Sequence, residues 1–378
     1  MSRKPRLLVI TPDFPPARGG IQVLVHRLVS ELERFERSIV TLESPGAAEF
    51  DDASGLAVRR VKAIKQLRGG RNLLLNAVAY RQAQSFRPDV TLSAHIVTSP
   101  AAAAIRRTLG GRTVQYFHAK EIGAKPRLAA FAARQAHTSI AVSDYTSRLI
   151  QATGVRPLDI RLISPGVELP SNVAPESAER PTFLTIARLE DRYKGHDVII
   201  RALPLLRAKV PDVQWVVIGD GPLRPGLEQL AQAHGVADAV RFLGSVSDDE
   251  RNSWLRRTRA LVMPSRLPSG HYAGEGFGIV YLEANVFGKP VVAGNVGGAL
   301  DSVADGESGL LVDPTDPVAV ADAIARLLLD DELAARLGRG GAQRAQAFTW
   351  PLISERVEAV LLEQLRASAR WDSSAVPA

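Results

Sequence analysis

Apolar residues along this chain fall in short continuous runs, separated by longer stretches of helical period. In the first half the runs predict strands near residues 6–11, 38–42, 90–92, 113–117, 139–142 and 161–163. Helices are predicted between them, for example over 21–35, 73–85 and 145–152. The second half repeats the style, with strands near 182–186, 214–218, 241–243, 260–263, 290–293 and 310–312. Strands that are apolar throughout, rather than at alternate positions, are covered on both faces. Their alternation with helices predicts parallel sheets of the α/β, doubly wound kind. No solenoid-length repeat is present. The rhythm breaks at 164–181, which carries prolines at 165, 170, 175 and 181 and no apolar period. This reads as a linker, so the expected organisation is one Rossmann-like domain over 1–170 and a second over 171–350. A helix and tail follow over 351–378, and the tail after 370 is expected to lack fixed structure. Doubly wound sheets bind ligands beyond the C-terminal ends of their strands, which directs attention to the loops that follow strands.

With 378 residues, 46% of them hydrophobic, the chain is long enough for two cores. It has no apolar run of membrane-spanning length, and the short run at 7–10 is too brief for a signal-peptide core. Cysteine is absent, which excludes disulfide and thiolate chemistry and fits a cytoplasmic location. The net charge of +7 is uneven: residues 1–180 hold 26 Lys and Arg against 15 Asp and Glu, and the rest hold 21 against 25. Such a basic half either meets an anionic partner or serves solubility. Arg59, Arg60, Lys62, Lys65, Arg68 and Arg71 form one basic stretch, and Lys120, Lys125, Arg127 and Arg134 flank the apolar run 128–133. These suit peripheral contact with an anionic membrane surface on the inner face of the cell membrane, or a solvated face over a short buried helix. A nucleic-acid partner is not expected, since no aromatic platform accompanies the charge.

Several post-strand loops carry candidate chemistry. After the first strand comes Thr11-Pro12-Asp13-Phe14-Pro15-Pro16-Ala17-Arg18-Gly19-Gly20, opening a helix. Two glycines at a helix N-terminus let a phosphate or sugar approach the backbone, although an ordinary tight turn has the same composition. The second domain's first strand is followed by Ala187-Arg188-Leu189-Glu190-Asp191-Arg192-Tyr193-Lys194-Gly195-His196. Here Arg188 offers a planar fork and Lys194 a point charge for a diphosphate. Glu275-Gly276-Phe277-Gly278-Ile279-Val280-Tyr281-Leu282-Glu283 combines a glycine loop, a helix start and two glutamates, of which Glu283 could pair with a vicinal diol. Gly219-Asp220-Gly221-Pro222 has half a dinucleotide fingerprint, with Arg224 where a third glycine would stand. No P-loop, His-Glu-x-x-His or Gly-x-Ser-x-Gly occurs.

Taken in order, these segments resemble glycosyltransferase family 4. The resemblance rests on Gly19-Gly20, residues 143–146, Pro165-Gly166-Val167, Arg188 with Lys194-Gly195, residues 219–222, Phe242-Leu243-Gly244, residues 275–283, Gly297-Gly298 and Gly309-Leu310. It implies a GT-B fold with two domains facing a cleft, retention of anomeric configuration, and no cofactor or metal. It implies that Arg188 and Lys194 bind the donor diphosphate, with Gly19, Gly20 and Gly219 lining the donor. Glu275 and the amides of Phe277, Gly278 and Ile279 would hold the hexose, and Glu283 the ribose. His118 matches the family histidine near the reacting face, and Asp13, Lys120 and Glu121 fall on the acceptor side. Details at 13–22 and 277–284 are most similar to the phosphatidylinositol mannosyltransferase branch, implying a GDP-mannose donor and a glycan or lipid-linked acceptor. The sequence departs from that branch at Ala119-Lys120, at Asp301 and at Glu168. A UDP-sugar transferase and a sugar-nucleotide epimerase of the same fold remain the alternatives.

Overall fold

The computed structural model describes residues 3–17, 19–62, 70–155, 159–176, 178–268 and 274–368. Lys65, Arg68 and the tail after 370 lie outside the described residues. The chain divides into two compact units, Met1–Gly166 with Trp350–Ala378, and Val167–Thr349.

The first unit is built on seven strands: β1 (Arg6–Ile10), β2 (Glu36–Leu42), β3 (Val58–Val61), β4 (Val90–Ser93), β5 (Arg112–Phe117), β6 (Thr138–Ala141) and β7 (Ile160–Leu162). They form one parallel sheet in the order β3-β2-β1-β4-β5-β6-β7. Leu7, Leu8, Val9 and Ile10 are all fully buried, because helices cover both sheet faces and consecutive side chains point to opposite ones. Strand β3 is absent from the sequence reading. Arg59 and Arg60 interrupt its apolar run, and charged residues belong on an edge strand, which is where it lies. The first helix spans Gly20–Glu31, shorter than the 21–35 expected. Leu32 and Phe35 continue the apolar pattern, but they are buried from a turn closed by the Phe35 amide and the Leu32 carbonyl.

The last helix, Trp350–Arg366, belongs to this unit. Ile353, Val357, Leu361 and Leu365 form its buried stripe. Gln364 donates to Thr138 Oγ1 at 2.9 Å, and Glu363 pairs with Arg161 at 3.0 Å. Gly166 lies so close to Trp350 that a Cβ there would stand 2.6 Å from the indole.

The second unit has six strands: β8 (Thr182–Ile186), β9 (Gln214–Ile218), β10 (Val240–Gly244), β11 (Ala260–Met263), β12 (Val291–Gly294) and β13 (Gly309–Val312). Their order is β10-β9-β8-β11-β12-β13, again parallel. One face buries Trp215, Ile199, Leu203 and Leu327, and the other Tyr281, Leu261 and Leu255. Connections leave in opposite directions at β1/β4 in the first unit and at β8/β11 in the second. Each such switch point opens a crevice beyond the strand ends. Among the described residues no helix is long and apolar enough to cross a membrane.

Candidate functional site

In the second unit the loop after β8 holds Arg188 and Lys194, and the segment after β11 holds Glu275. The fold closes 81 residues of separation into a Lys194 Nζ–Glu275 Oε2 ion pair, with side chains only 17% and 13% exposed. Burial disfavours the ammonium, but the Glu275 carboxylate, together with Tyr193 and Asp191, holds the Lys194 pKa above its ordinary value. The same ammonium lies 5.2 Å from the Tyr193 ring centre. Burial pushes the Tyr193 hydroxyl up to about 12, so it stays protonated. Gly195 makes this possible: at φ +83° it caps the helix His196–Arg207, and a Cβ there would meet Pro264 O at 2.3 Å. Gly219 serves the same end from β9, since its Cβ would stand 2.0 Å from Ala187 O.

The helix Ile279–Val286 begins at Gly278, which is left-handed at φ +85°. Glu275 is anchored through its carbonyl, which accepts the Gly298 N–H at 2.8 Å. Phe277 is buried and packs with Val167, Leu282 and Ala345, and Ile279 leans on the same cluster. Their side chains are therefore core, and only backbone N–H groups remain for a ligand. Tyr281 donates from its buried hydroxyl to Met263 O at 2.6 Å, tying this helix to β11.

Arg188 and Glu283 stand apart from that pair. Arg188 is 61% exposed and lies 3.5 Å from Glu190. Glu283 is 28% exposed, 4.0 Å from Arg251, and burial raises its pKa against that arginine's pull. Arg251, also 3.3 Å from Asp248, was not identified from sequence; it is one of many charged residues on a polar helix.

In the first unit, Asp13 follows β1 and accepts from Gln22 Nε2 at 2.9 Å. Gly20 starts the helix with open space where a side chain would be, while a Cβ at Gly19 would strike Gln22 Oε1 at 2.2 Å. His118 follows β5 and is buried. Its Nε2 is 3.1 Å from Ala94 O, its ring stacks on Tyr116, and burial lowers its pKa despite Glu121. Glu121 is equally buried and fully used: it accepts from the backbone N–H of His118 at 3.0 Å and of Ile96 at 2.9 Å, and lies 2.8 Å from His95 Nδ1. His95 went unremarked in the sequence, although it lies three residues beyond a predicted strand. Lys120 is exposed beside them.

The basic segments divide as well. Arg60 is buried, makes a two-pronged contact with Asp51, donates to Pro15 O and Leu42 O, and lies over Phe14. It is a structural residue, not a surface charge. On the helix Pro126–Gln135, Ala129, Ala130, Ala132 and Ala133 are buried in the unit's own core, leaving Lys125, Arg127 and Arg134 outward.

Two doubly wound parallel sheets in one chain, with a cation and a carboxylate brought together at the second sheet's switch point, define the GT-B class of glycosyltransferases. Sucrose-phosphate synthase from Thermosynechococcus elongatus shares this fold: TM-score 0.80, 21% identity, 97% of this chain and 100% of that one. The family model described as Glycosyltransferase Family 4 matches residues 18–170, and that described as Glycosyl transferases group 1 matches 170–344. The chain belongs to this family and is a glycosyltransferase. It is 33% identical to the GDP-mannose-dependent alpha-(1-6)-phosphatidylinositol monomannoside mannosyltransferase of Mycobacterium tuberculosis, over 93% of this chain and 97% of that one. It is 36% identical to the D-inositol 3-phosphate glycosyltransferase of Salinispora tropica, over 53% of this chain and 45% of that one.

Proposed function

We propose that the protein transfers mannose from GDP-mannose to a hydroxyl of a phosphoinositide glycolipid, with retention at the anomeric carbon and without a metal. The observation that carries this reading is the Lys194–Glu275 pair at the β8/β11 switch point. A sugar diphosphate needs a cation for its phosphates and a carboxylate for its sugar hydroxyls, adjacent and shielded from water. The exposed fork of Arg188 is free to swing from Glu190 to the second phosphate. Glu283, raised in pKa by burial, gains a partner when ribose hydroxyls replace water. The donor and acceptor identities are supported by the names of full-length relatives that share a third of their residues with this chain.

In the mechanism the acceptor hydroxyl attacks on the face from which the diphosphate leaves. Arg188 and Lys194 stabilise the charge gathering on the leaving group, and a departing phosphate oxygen takes the hydroxyl proton. No protein nucleophile is needed, and neutral His118 supplies contact instead of proton transfer. Exposed Lys125, Arg127 and Arg134 fit peripheral contact with anionic lipid, each adding about 1 kcal/mol near the surface.

A thermal-shift panel with GDP, UDP and ADP tests the donor, because binding to the native state raises the melting temperature. GDP should give the largest shift. A larger UDP shift refutes the mannose donor in favour of a UDP-sugar, and donor conversion without acceptor points to an epimerase. Transfer from GDP-mannose to phosphatidylinositol monomannoside should survive EDTA and yield the α-anomer. Flotation on phosphatidylinositol vesicles at low salt checks the membrane contact, and a chain that stays at the bottom of the gradient rules it out.

A further inference from the structure

Two histidines stand at strand ends in the first unit, and they are wired differently. His118 has both ring nitrogens in use. Nε2 serves the Ala94 carbonyl at 3.1 Å, and the side chain takes the Glu121 backbone N–H in a reciprocal cap. His95 has only one in use. Its Nδ1 lies 2.8 Å from Glu121 Oε2 and 3.1 Å from the Val97 amide, whereas Nε2 has no hydrogen-bond partner among the described residues. The side chain is 17% exposed.

Glu121 is built as a fixed support. Both its oxygens are held by backbone N–H groups at the ends of β4 and β5, and it cannot turn away from His95. Nδ1 is therefore occupied, accepting the Val97 N–H and facing Glu121 Oε2, and Nε2 is the nitrogen left for a ligand. The carboxylate and the Val97 N–H together fix the ring orientation, as happens where proteins aim a histidine at a hydroxyl. The location agrees. His95 follows β4 and Asp13 follows β1, the two strands that flank the switch point of this sheet, and the Asp13 charge acts on His95. Glu121 likewise keeps the His95 pKa above its ordinary value, although burial opposes it and Lys125 works the same way as burial.

We propose that His95 Nε2 hydrogen-bonds a hydroxyl of the acceptor polyol, with Glu121 as the positioning residue behind it. The bond orients the acceptor and transfers no proton, so the leaving diphosphate keeps its role as base. This inference rests on the transferase reading given above.

Acceptor kinetics and a direct binding signal together test it in the full chain. With GDP-mannose saturating and phosphatidylinositol monomannoside in detergent micelles, His95→Phe should raise the acceptor KM at least tenfold. The GDP thermal shift, which reports the second unit, should stay. His95→Gln, whose amide nitrogen falls near the Nε2 position, should recover part of the loss. In 15N-histidine spectra of the wild-type chain, one Nε2 resonance, absent from His95→Gln, should move on adding phosphatidylinositol monomannoside alone. An unchanged acceptor KM in His95→Phe, loss of the GDP shift together with activity, or an unmoved resonance each overturns the proposal. A moving resonance in a wild-type chain that transfers nothing from GDP-mannose overturns the donor reading and leaves His95 in place.

Discussion

The Lys194–Glu275 pair allows a quantitative test of the proposed donor site. Both side chains are more than four-fifths buried, so the pair is closer to a buried bridge than to a surface one. Breaking a buried pair by removing one partner costs about 3–5 kcal/mol, because the remaining charge is left uncompensated, whereas exposed pairs are worth about 0–1 kcal/mol. With some solvent access, Glu275→Gln should destabilise by about 3 kcal/mol. The unit over Val167–Thr349 is of a size at which 1 kcal/mol shifts Tm by roughly 2–4 °C, so its transition should fall by about 6–12 °C. Lys194→Met should cost a similar amount. The double variant should cost less than either single one, because no lone charge is left, so the coupling in the cycle should be at least about 3 kcal/mol. Differential scanning calorimetry of the four proteins without nucleotide measures this. Additivity within about 0.5 kcal/mol would refute the pairing and with it the site's central contact.

Four other outcomes follow from the geometry. Arg188→Ala, at a largely exposed side chain, should leave Tm unchanged yet lower kcat/KM about 10–150-fold through loss of a charge-assisted bond of roughly 1.5–3 kcal/mol; near-normal turnover removes it from the diphosphate. Gly219→Ala should cost about 3 kcal/mol or more, seen in urea unfolding, since φ is +129° and the new Cβ meets Ala187 O. His196 is 2% exposed, and burial, then Lys194, drops its pKa to about 4 from 6.5. The folded state therefore takes its proton later than the unfolded one, so stability is full above pH 6.5 and falls by about 3 kcal/mol as pH approaches 4; His196→Phe should flatten that slope in the second unit's transition. Arg60→Met should destabilise the first unit by roughly 3 kcal/mol without weakening vesicle binding, whereas Arg127→Glu with Arg134→Glu should weaken it.

What was legible in the sequence is what local patterning controls. Among the described residues, continuous apolar runs identified twelve of the thirteen strands, because parallel strands are buried on both faces and cannot hide their composition. The missed one, β3, carries two arginines in a four-residue run and needs only one partner strand. Glycine loops and the spacing of Glu275 and Glu283 marked the segments proposed to hold the donor, since close backbone approach tolerates no side chain and leaves glycine behind. Arg60, in contrast, reads as one charge in a basic stretch, and nothing local shows that it is buried on Asp51 and Phe14.

The amino-acid order alone determined the fold class, the two-unit plan and the family, because periodicity and loop composition are properties of neighbouring residues. Tertiary structure decided which charges meet. Lys194 finds Glu275 across 81 positions, Glu121 gathers His95, Ile96 and His118 from two strand ends, and the final helix returns to the first unit. Those pairings depend on strand order and burial, which set distance and dielectric at once, and neither quantity is carried by any short stretch of chain.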